Sequence, residues 1–485
     1  MKYSSKDLIK GTSIYTISKF IKQSGGILLL PVFTRLLTPA QYGIVGLIKP
    51  ISRFIPLFFV FGLNIAQMRK YFDLKNDKKK IGSLIFTLNI FLWVVNIGVI
   101  LFFITPLGQK FIGNFIDYSK VPFYPFVFIA LITGFLKVFS LIAKNYYQIQ
   151  KKYKLIGFCE ILFFIIIKTV SLSLIYFFSM GALGKIVGGL VGSVIIFLIY
   201  YPGYIKKINI NFNMDKLKNS LGLGVPVMFT AAIGIIINYS DRLIMGKYLE
   251  MDIIGIYSLA YTGGMVLSVF YTSFNETWRP MFYNLMDSKK KNKNELIKKI
   301  MTNFTIALAG LSLVGELFGK ELIILVLPEE YLGAARFLPY ILVAMVLAGM
   351  NFFSSNFIIY FKENYVTPIF MTFAAVINII INIMLIPKYG ALIAAISTII
   401  SFAVLGFIEI VFVKLRYKID YVSYFKILAI IFFIFNPFLF YLINQPVNTF
   451  FILIKFLYLG LFSLIFGKKL FIFFKKTLEK KYEKK

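Results

Sequence analysis

The sequence predicts an all-α polytopic membrane protein with about 14 transmembrane helices. Of its 485 residues, 59% are hydrophobic and only 15% are charged, a balance that would leave much apolar surface in water if the chain were soluble. Apolar runs of roughly 20 residues recur along the whole length, and each can cross a hydrocarbon core of about 30 Å as a helix. These runs are apolar on nearly every residue, whereas the strands of a membrane barrel alternate in polarity.

The predicted spans follow one another with short connections, none of which is large enough for a folded soluble domain. The first run holds Lys19 and Lys22 and has no small-residue cleavage site after it, so we interpret it as a span and not as a signal peptide. The spans are predicted at residues 11–34, 41–68, 81–106, 121–144, 155–178, 182–203, 217–240, 252–282, 298–326, 335–361, 365–387, 390–413, 422–443 and 449–467.

Basic residues outside the spans concentrate in alternate connections, for example at 78–80 and 289–291. Because cytoplasmic connections collect Lys and Arg, this alternation predicts that both termini are cytoplasmic and that the chain is a multi-pass protein of the cytoplasmic membrane. The net charge of +32 is then explained by orientation and by anionic lipid headgroups, so no nucleic-acid partner is predicted.

The composition also argues against an enzyme. The chain has no His and a single Cys, Cys159, which excludes a Ser-His-Asp triad, a Cys-His pair and a His or thiolate-cluster metal site. A GxxxxGK[ST] nucleotide loop is also absent from the sequence. We therefore predict no catalytic residue, no metal and no cofactor.

A faint internal repeat predicts two lobes. Arg35 and Arg242 stand 207 residues apart in similar surroundings, GAL recurs at 181–183 and 390–392, and Asp7 and Asp215 each precede a span. Repeats of six spans in the same orientation are related by an axis along the membrane normal. The predicted organisation is an N-terminal six-helix lobe at 1–210, a C-terminal six-helix lobe at 211–418, and two further helices with a basic tail at 419–485.

Three segments carry a resemblance to a known family. These are LLPVFTRLLTPAQYGI at 29–44, NYSDRLIMGKYLEMDIIGIYSLAY at 238–261 and SFNETWRPMFYNL at 273–285, with the SDR...GIYS stretch from Ser240 to Ser258 the most specific. The chain resembles the Wzx-type polysaccharide flippases of the multidrug/oligosaccharidyl-lipid/polysaccharide (MOP) exporter superfamily, which includes the MATE transporters. This resemblance implies alternating access and the flipping of undecaprenyl-pyrophosphate-linked oligosaccharide units for O-antigen or capsule biosynthesis.

Deep cations in the N-terminal lobe are the predicted binding site. Charges far from the interface are costly and generally face a wet cavity or a partner, and few carboxylates lie nearby to pair with them. Since Arg and Lys both bind phosphate oxygens, the diphosphate implied by the resemblance is the predicted ligand. The predicted substrate-binding residues are Lys19, Lys22, Lys49, Arg53 and Lys168. By contrast, Lys320, Lys426 and Lys455 lie near span ends and are expected to snorkel to the interface.

A coupling ion is less visible in the sequence. Proton or sodium coupling would have to use carboxylates, and each candidate also has a structural interpretation as a cap or helical ion pair. The residues assigned to a coupling or structural role are Glu160, Asp241, Arg242, Glu276 and Arg279. Polysaccharide polymerase machinery is a further partner that the resemblance suggests.

Three alternatives stay open at this point. A lipid II flippase for peptidoglycan precursor would share the span count and a cationic cavity. A MATE-type drug or cation antiporter predicts twelve spans with acidic residues deep in the lobes. An integral-membrane polysaccharide polymerase or ligase predicts a large outer loop with essential Arg or His, and the outer loop at 107–120 contains neither.

Overall fold

The computed structural model describes residues 21–22, 25–74, 77–289, 292–363 and 365–467. Every regular element within these ranges is helical, and the described residues include no strand, which confirms the predicted fold class. The main helices, numbered in chain order, are α1 Gly25–Leu36, α2 Pro39–Leu74, α3 Lys78–Ile104, α4 Phe123–Ile149, α5 Tyr153–Tyr176, α6 Gly181–Ile205, α7 Met214–Tyr248, α8 Met251–Asp287, α9 Lys293–Val326, α10 Ala334–Tyr360, α11 Val366–Tyr389, α12 Leu392–Tyr417, α13 Tyr424–Asn444 and α14 Thr449–Gly467.

Each predicted span overlaps one of these helices. Twelve of them are long and apolar enough to cross a membrane by length and composition. The other two are α1, whose described part is short, and α9, which has 34 residues with charged residues in its first two turns and again from Glu316 onward. Half of the first predicted span, including Lys19, lies outside the described residues, so the number fourteen stays a prediction.

The chain divides into two compact units, Met1–Ser258 and Leu259–Lys485, and the boundary falls inside α8. The first unit contains α1 to α7 and the start of α8, and the second contains the rest. The lobes that the sequence repeat predicts, 1–210 and 211–418, have different boundaries from these compact units and stay a prediction.

Local sequence explains how α2 begins, and a close approach of α7 accompanies its break. Thr38 caps the helix: its Oγ1 accepts from Gln41 N at 3.3 Å, and Gln41 Oε1 accepts from Thr38 N at 3.3 Å, a reciprocal capping box followed by Pro39 in the first turn. The helix is interrupted at Phe61 and Gly62, which have φ of 52° and 63°. Gly62 also touches the backbone of Gly224 in α7, so a side chain has no room there.

The core of the first unit combines aromatic packing with a buried polar chain. Trp93 of α3 stacks on Phe139 of α4 with ring centroids 4.4 Å apart. Asn89 Nδ2 donates to Tyr204 Oη at 3.0 Å, and Tyr204 Oη donates to Gln67 Oε1 at 2.6 Å. Because Tyr204 is fully buried, these bonds join α2, α3 and α6 where water cannot replace them. The bonds therefore fix the positions of these three helices relative to one another.

The second unit is built around α10, whose apolar segment is the most buried of the candidate spans in the described chain. Aromatic rings from α8, α9 and α10 pack together, with Phe274 and Phe304 4.2 Å apart. One sequence prediction is wrong here: Lys455 does not snorkel. It is 1% exposed, and its Nζ lies 2.5 Å from Glu321 Oε1, because a carboxylate on α9 faces its position on α14 and offers a partner that lipid cannot.

Candidate functional site

Five basic side chains of the first unit lie close enough to interact electrostatically. Lys49 and Arg53 stand one turn apart on α2, and both are exposed. Lys49 interacts with Arg53, with Lys168 of α5 and with Arg242 of α7. Lys185 of α6 interacts with Lys168 and Lys49. We call these residues, Lys49, Arg53, Lys168, Lys185 and Arg242, the cation cluster.

Depth along the helices makes this cluster unusual. Lys49 is ten residues after Pro39, the first residue of α2, which corresponds to about 15 Å of helix, and Arg53 lies about 6 Å further along. Lys168 is eight residues before the last residue of α5. A charge this far from the ends of an apolar helix generally faces water, a partner or a ligand, so these three residues are candidates for a polar site.

Aromatic rings separate the cations from one another. Lys168 Nζ lies 4.8 Å and Lys185 Nζ 4.5 Å from the centre of the Phe33 ring. Arg53 and Arg242 each place the guanidinium carbon 5.2 Å from the centre of the Tyr239 ring. A ring face attracts cations without carrying a negative charge. The rings therefore hold the cluster together and leave its positive charge uncancelled.

Carboxylates contribute little to the cluster. Within the described residues Lys49, Arg53, Lys168 and Lys185 make no ion pair, whereas Arg242 Nη1 lies 3.4 Å from Asp241 Oδ1. Asp241 is 1% exposed and accepts from Arg242 N at 2.7 Å and from Tyr257 Oη at 2.6 Å. These contacts fit the structural interpretation of Asp241, since its oxygens anchor the end of α7 to the start of α8.

A separate cavity of about 280 Å³ lies inside the same unit. Lys22, Lys137, Lys144 and Glu160 line it, together with Cys159 and apolar and hydroxyl side chains. Glu160 forms ion pairs with both Lys22 and Lys144. Lys137 also interacts electrostatically with Arg53, so this lysine cavity lies near the cation cluster.

The structure groups the predicted site residues only in part. Lys49, Arg53 and Lys168 lie together in the cation cluster, whereas Lys22 lines the lysine cavity and is paired with Glu160. Lys19 lies outside the described residues. Arg279, in the second unit, donates from Nε to Asn356 Oδ1 at 3.3 Å, and Glu276 is an exposed residue of α8 in that same unit.

Sequence reasoning missed Lys185 as a site residue. It stands three residues after the predicted start of the sixth span, where a lysine normally reaches the interface. Its ammonium group instead lies 4.0 Å from the centre of the Tyr42 ring. One sequence signal could have indicated it: GALGK places a lysine within the first turns of an apolar helix, and the 29–44 segment supplies aromatic residues that can receive its charge.

The chain matches known proteins over most of its length. A family model described as polysaccharide biosynthesis protein matches residues 32–336, which is more than half of the chain. A capsular polysaccharide biosynthesis protein, CapF, of Staphylococcus aureus is 24% identical over 408 residues, which cover 81% of this chain and 96% of the relative.

Solved structures share the fold. The lipid II flippase MurJ in an inward closed conformation superposes with a TM-score of 0.71 at 18% identity, covering 96% of this chain and 99% of the other. An inward-facing multidrug resistance MATE family transporter of the MOP superfamily superposes with a TM-score of 0.63 at 15% identity, covering 84% and 98%. At this identity the likeness concerns the fold alone, which this chain shares with both structures.

Proposed function

The chain belongs to the family of polysaccharide biosynthesis proteins, and from this premise we propose that it flips undecaprenyl-pyrophosphate-linked oligosaccharide repeat units across the cytoplasmic membrane. The units would serve polysaccharide biosynthesis, such as that of O-antigen or capsule. Transport proceeds by alternating access between the two predicted lobes, and both termini of the chain face the cytoplasm. The chain acts as a carrier and not as an enzyme.

The observation that supports this function most strongly is the cation cluster. Lys49, Arg53, Lys168 and Lys185 make no ion pair within the described chain. A charge as far from the helix ends as those of Lys49, Arg53 and Lys168 costs several kcal/mol without compensation. An anionic ligand removes this cost when it binds. A lipid-linked diphosphate has the matching charge, and its polyprenyl chain stays in the surrounding lipid.

The types of basic residue also suit a diphosphate. The guanidinium group of Arg53 is exposed, and as a planar fork it can bind two phosphate oxygens at once. The guanidinium group of Arg242 is buried and donates from Nη1 to Asn238 O at 2.7 Å, so it adds positive charge beside the ligand. Lys49, Lys168 and Lys185 are mobile point charges that can follow the phosphates as the ligand moves. Arg53 and Lys49 are therefore assigned to primary binding, with Lys168 and Lys185 contributing beside them.

A lipid II flippase is the second candidate, because the MurJ structure shares the fold with a TM-score of 0.71 and lipid II also carries a diphosphate. A MATE-type cation antiporter ranks lower, since a positive cluster repels cationic drugs. A membrane polymerase or ligase ranks lower still, because the connections offer no catalytic residues. Coupling to H⁺ or Na⁺ and contact with polymerase machinery remain open proposals.

The decisive experiment measures which leaflet holds the lipid-linked oligosaccharide. Cells lacking the chain are probed with an impermeant sugar-directed reagent, both intact and after opening. We expect the oligosaccharide to accumulate on the inner face and to move outward when the protein is restored. Complementation of a strain lacking its lipid II flippase distinguishes the second candidate.

Residue variants connect this assay to the site. Arg53→Gln and Lys49→Gln are expected to leave the protein inserted but to lower outward delivery at least tenfold, whereas Lys206→Gln, at an exposed position just after α6, leaves delivery unchanged. Normal outward delivery in cells without the chain would refute the flippase function. Normal delivery by the Arg53 and Lys49 variants would refute the role of the cation cluster.

A further inference from the structure

The lysine cavity contains an ion-pair arrangement that the cation cluster lacks. Glu160 uses both carboxylate oxygens: Oε2 pairs with Lys22 Nζ and Oε1 with Lys144 Nζ. Lys22 precedes α1, Lys144 belongs to α4 and Glu160 to α5. One carboxylate therefore bridges two ammonium groups from separate segments of the chain, which is a geometry that two oxygens of a phosphate can also adopt.

The charges of the cavity do not cancel. Lys137 lies seven residues before Lys144 on α4, on the same face of the helix, and lines the same cavity. Within the described residues Lys137 makes no ion pair. Three ammonium groups therefore face one carboxylate, and the lining keeps two positive charges in excess.

The ion pairs are open to exchange. The side chains of Lys22, Glu160 and Lys144 are 35%, 20% and 26% exposed, so water reaches them through the cavity. A volume of about 280 Å³ is several times the roughly 30 Å³ that one water occupies in the liquid. A small anion has room to enter and to replace the Glu160 carboxylate on the lysines.

We infer that Lys22, Lys137 and Lys144 form a second diphosphate subsite and that Glu160 is its internal competitor. The inference rests on the proposed function for the identity of the ligand. In the empty transporter Glu160 holds Lys22 and Lys144. A diphosphate carries more negative charge than one carboxylate and also engages Lys137, so it displaces Glu160. When the ligand leaves, Glu160 returns to the lysines, which favours release.

The test uses the full chain, purified into lipid nanodiscs, with inorganic pyrophosphate as the probe in calorimetric titrations at low salt. Glu160→Gln removes the competing charge while keeping the side-chain shape, and it is expected to bind pyrophosphate about tenfold more tightly than wild type. The matched control is Glu363→Gln. Glu363 also pairs with a cation, Arg416 at 3.0 Å, but outside the cavity, and its replacement is expected to leave the affinity unchanged.

Unchanged or weaker binding by Glu160→Gln would overturn the inference, as would an equal gain in Glu363→Gln. Glu160→Asp, which keeps the negative charge, is expected to bind less than threefold more tightly than wild type, and a tenfold gain would contradict a charge-based competition. If Glu160→Gln does not fold, Lys137→Gln takes its place. That variant is expected to bind pyrophosphate at least threefold more weakly, and wild-type affinity would refute the subsite.

The binding result separates this inference from the proposed function. Tighter pyrophosphate binding by Glu160→Gln supports the subsite even if the leaflet assay shows no flipping. If the leaflet assay shows flipping but Glu160→Gln does not bind pyrophosphate more tightly, the flippase function stands and the subsite is refuted. Export adds a signature that a merely structural role would not give. Glu160→Gln is expected to bind more tightly but to deliver oligosaccharide at least threefold more slowly, because release no longer has a competitor; wild-type delivery would contradict the release role.

Discussion

Replacing Lys185 with Met should stabilise the protein while it weakens function. Lys185 adds a fourth unpaired cation beside Lys49, Arg53 and Lys168, and no carboxylate of the described chain forms an ion pair with it. Its repulsion from Lys168 and Lys49 lowers the free energy of unfolding, and a bound anion would offset this loss. Met keeps the length and the apolar contacts of the side chain and removes the charge.

The structure sets a lower limit on that repulsion. The Lys168 and Lys185 ammonium groups lie 4.8 Å and 4.5 Å from the centre of the same Phe33 ring, so they are at most 9.3 Å apart. At an effective dielectric constant of about 20, the repulsion between them is at least about 1.8 kcal/mol. The substitution loses cation–π contacts with Phe33 and Tyr42, about 0.5–1 kcal/mol each, and Met regains part of this through sulfur–aromatic contact. The expected net gain in the free energy of unfolding is about 1 kcal/mol.

Two measurements on the same preparations check the prediction. Unfolding in a denaturing detergent should give the stability gain, and the leaflet assay should give outward delivery that is about tenfold lower. Lys414→Met is the control, because Lys414 lies over a ring, Tyr424 at 5.3 Å, but outside the cation cluster; it should not gain stability. If Lys185→Met is less stable than wild type, the reasoning that the cluster carries uncompensated repulsion is refuted.

Three further changes test the fold. Tyr204→Phe removes two buried hydrogen bonds and leaves Gln67 Oε1 without its donor, so the free energy of unfolding should fall by about 1–3 kcal/mol; no change would show that water replaces the hydroxyl. Lys455→Met leaves the Glu321 carboxylate without its partner in lipid surroundings and should lower the free energy of unfolding by about 3–5 kcal/mol. Adding Glu321→Leu should restore most of this loss, and a double variant that is less stable than Lys455→Met would contradict the reasoning. Gly62→Ala should cost about 2 kcal/mol or more, because φ is positive there and the backbone of α7 occupies the space of a side chain; wild-type stability would show that α2 can shift at its break.

Much of the fold could be predicted because its signals are local. Whether an apolar run is long enough to cross a bilayer can be read from the run itself, so each predicted span overlaps a helix of the described chain. The start of α2 follows from Thr38, Pro39 and Gln41, because the capping hydrogen bonds join residues only three positions apart. The break at Gly62 was not predicted, since it depends on contact with the backbone of Gly224 on another helix.

The sequence by itself determined that this chain lies in a membrane as helices and that deep cations with few carboxylates occupy its first half. Hydropathy and charge count are properties of single residues, and the cost of leaving apolar runs in water is independent of the tertiary arrangement. Only the tertiary structure decided which cations remain unpaired. Lys22 meets Glu160 across 138 positions, Lys455 meets Glu321 across 134, and Lys185 joins Lys49 and Lys168. Ion pairing acts over a few ångströms, so it follows from which helices pack together and not from position along the chain.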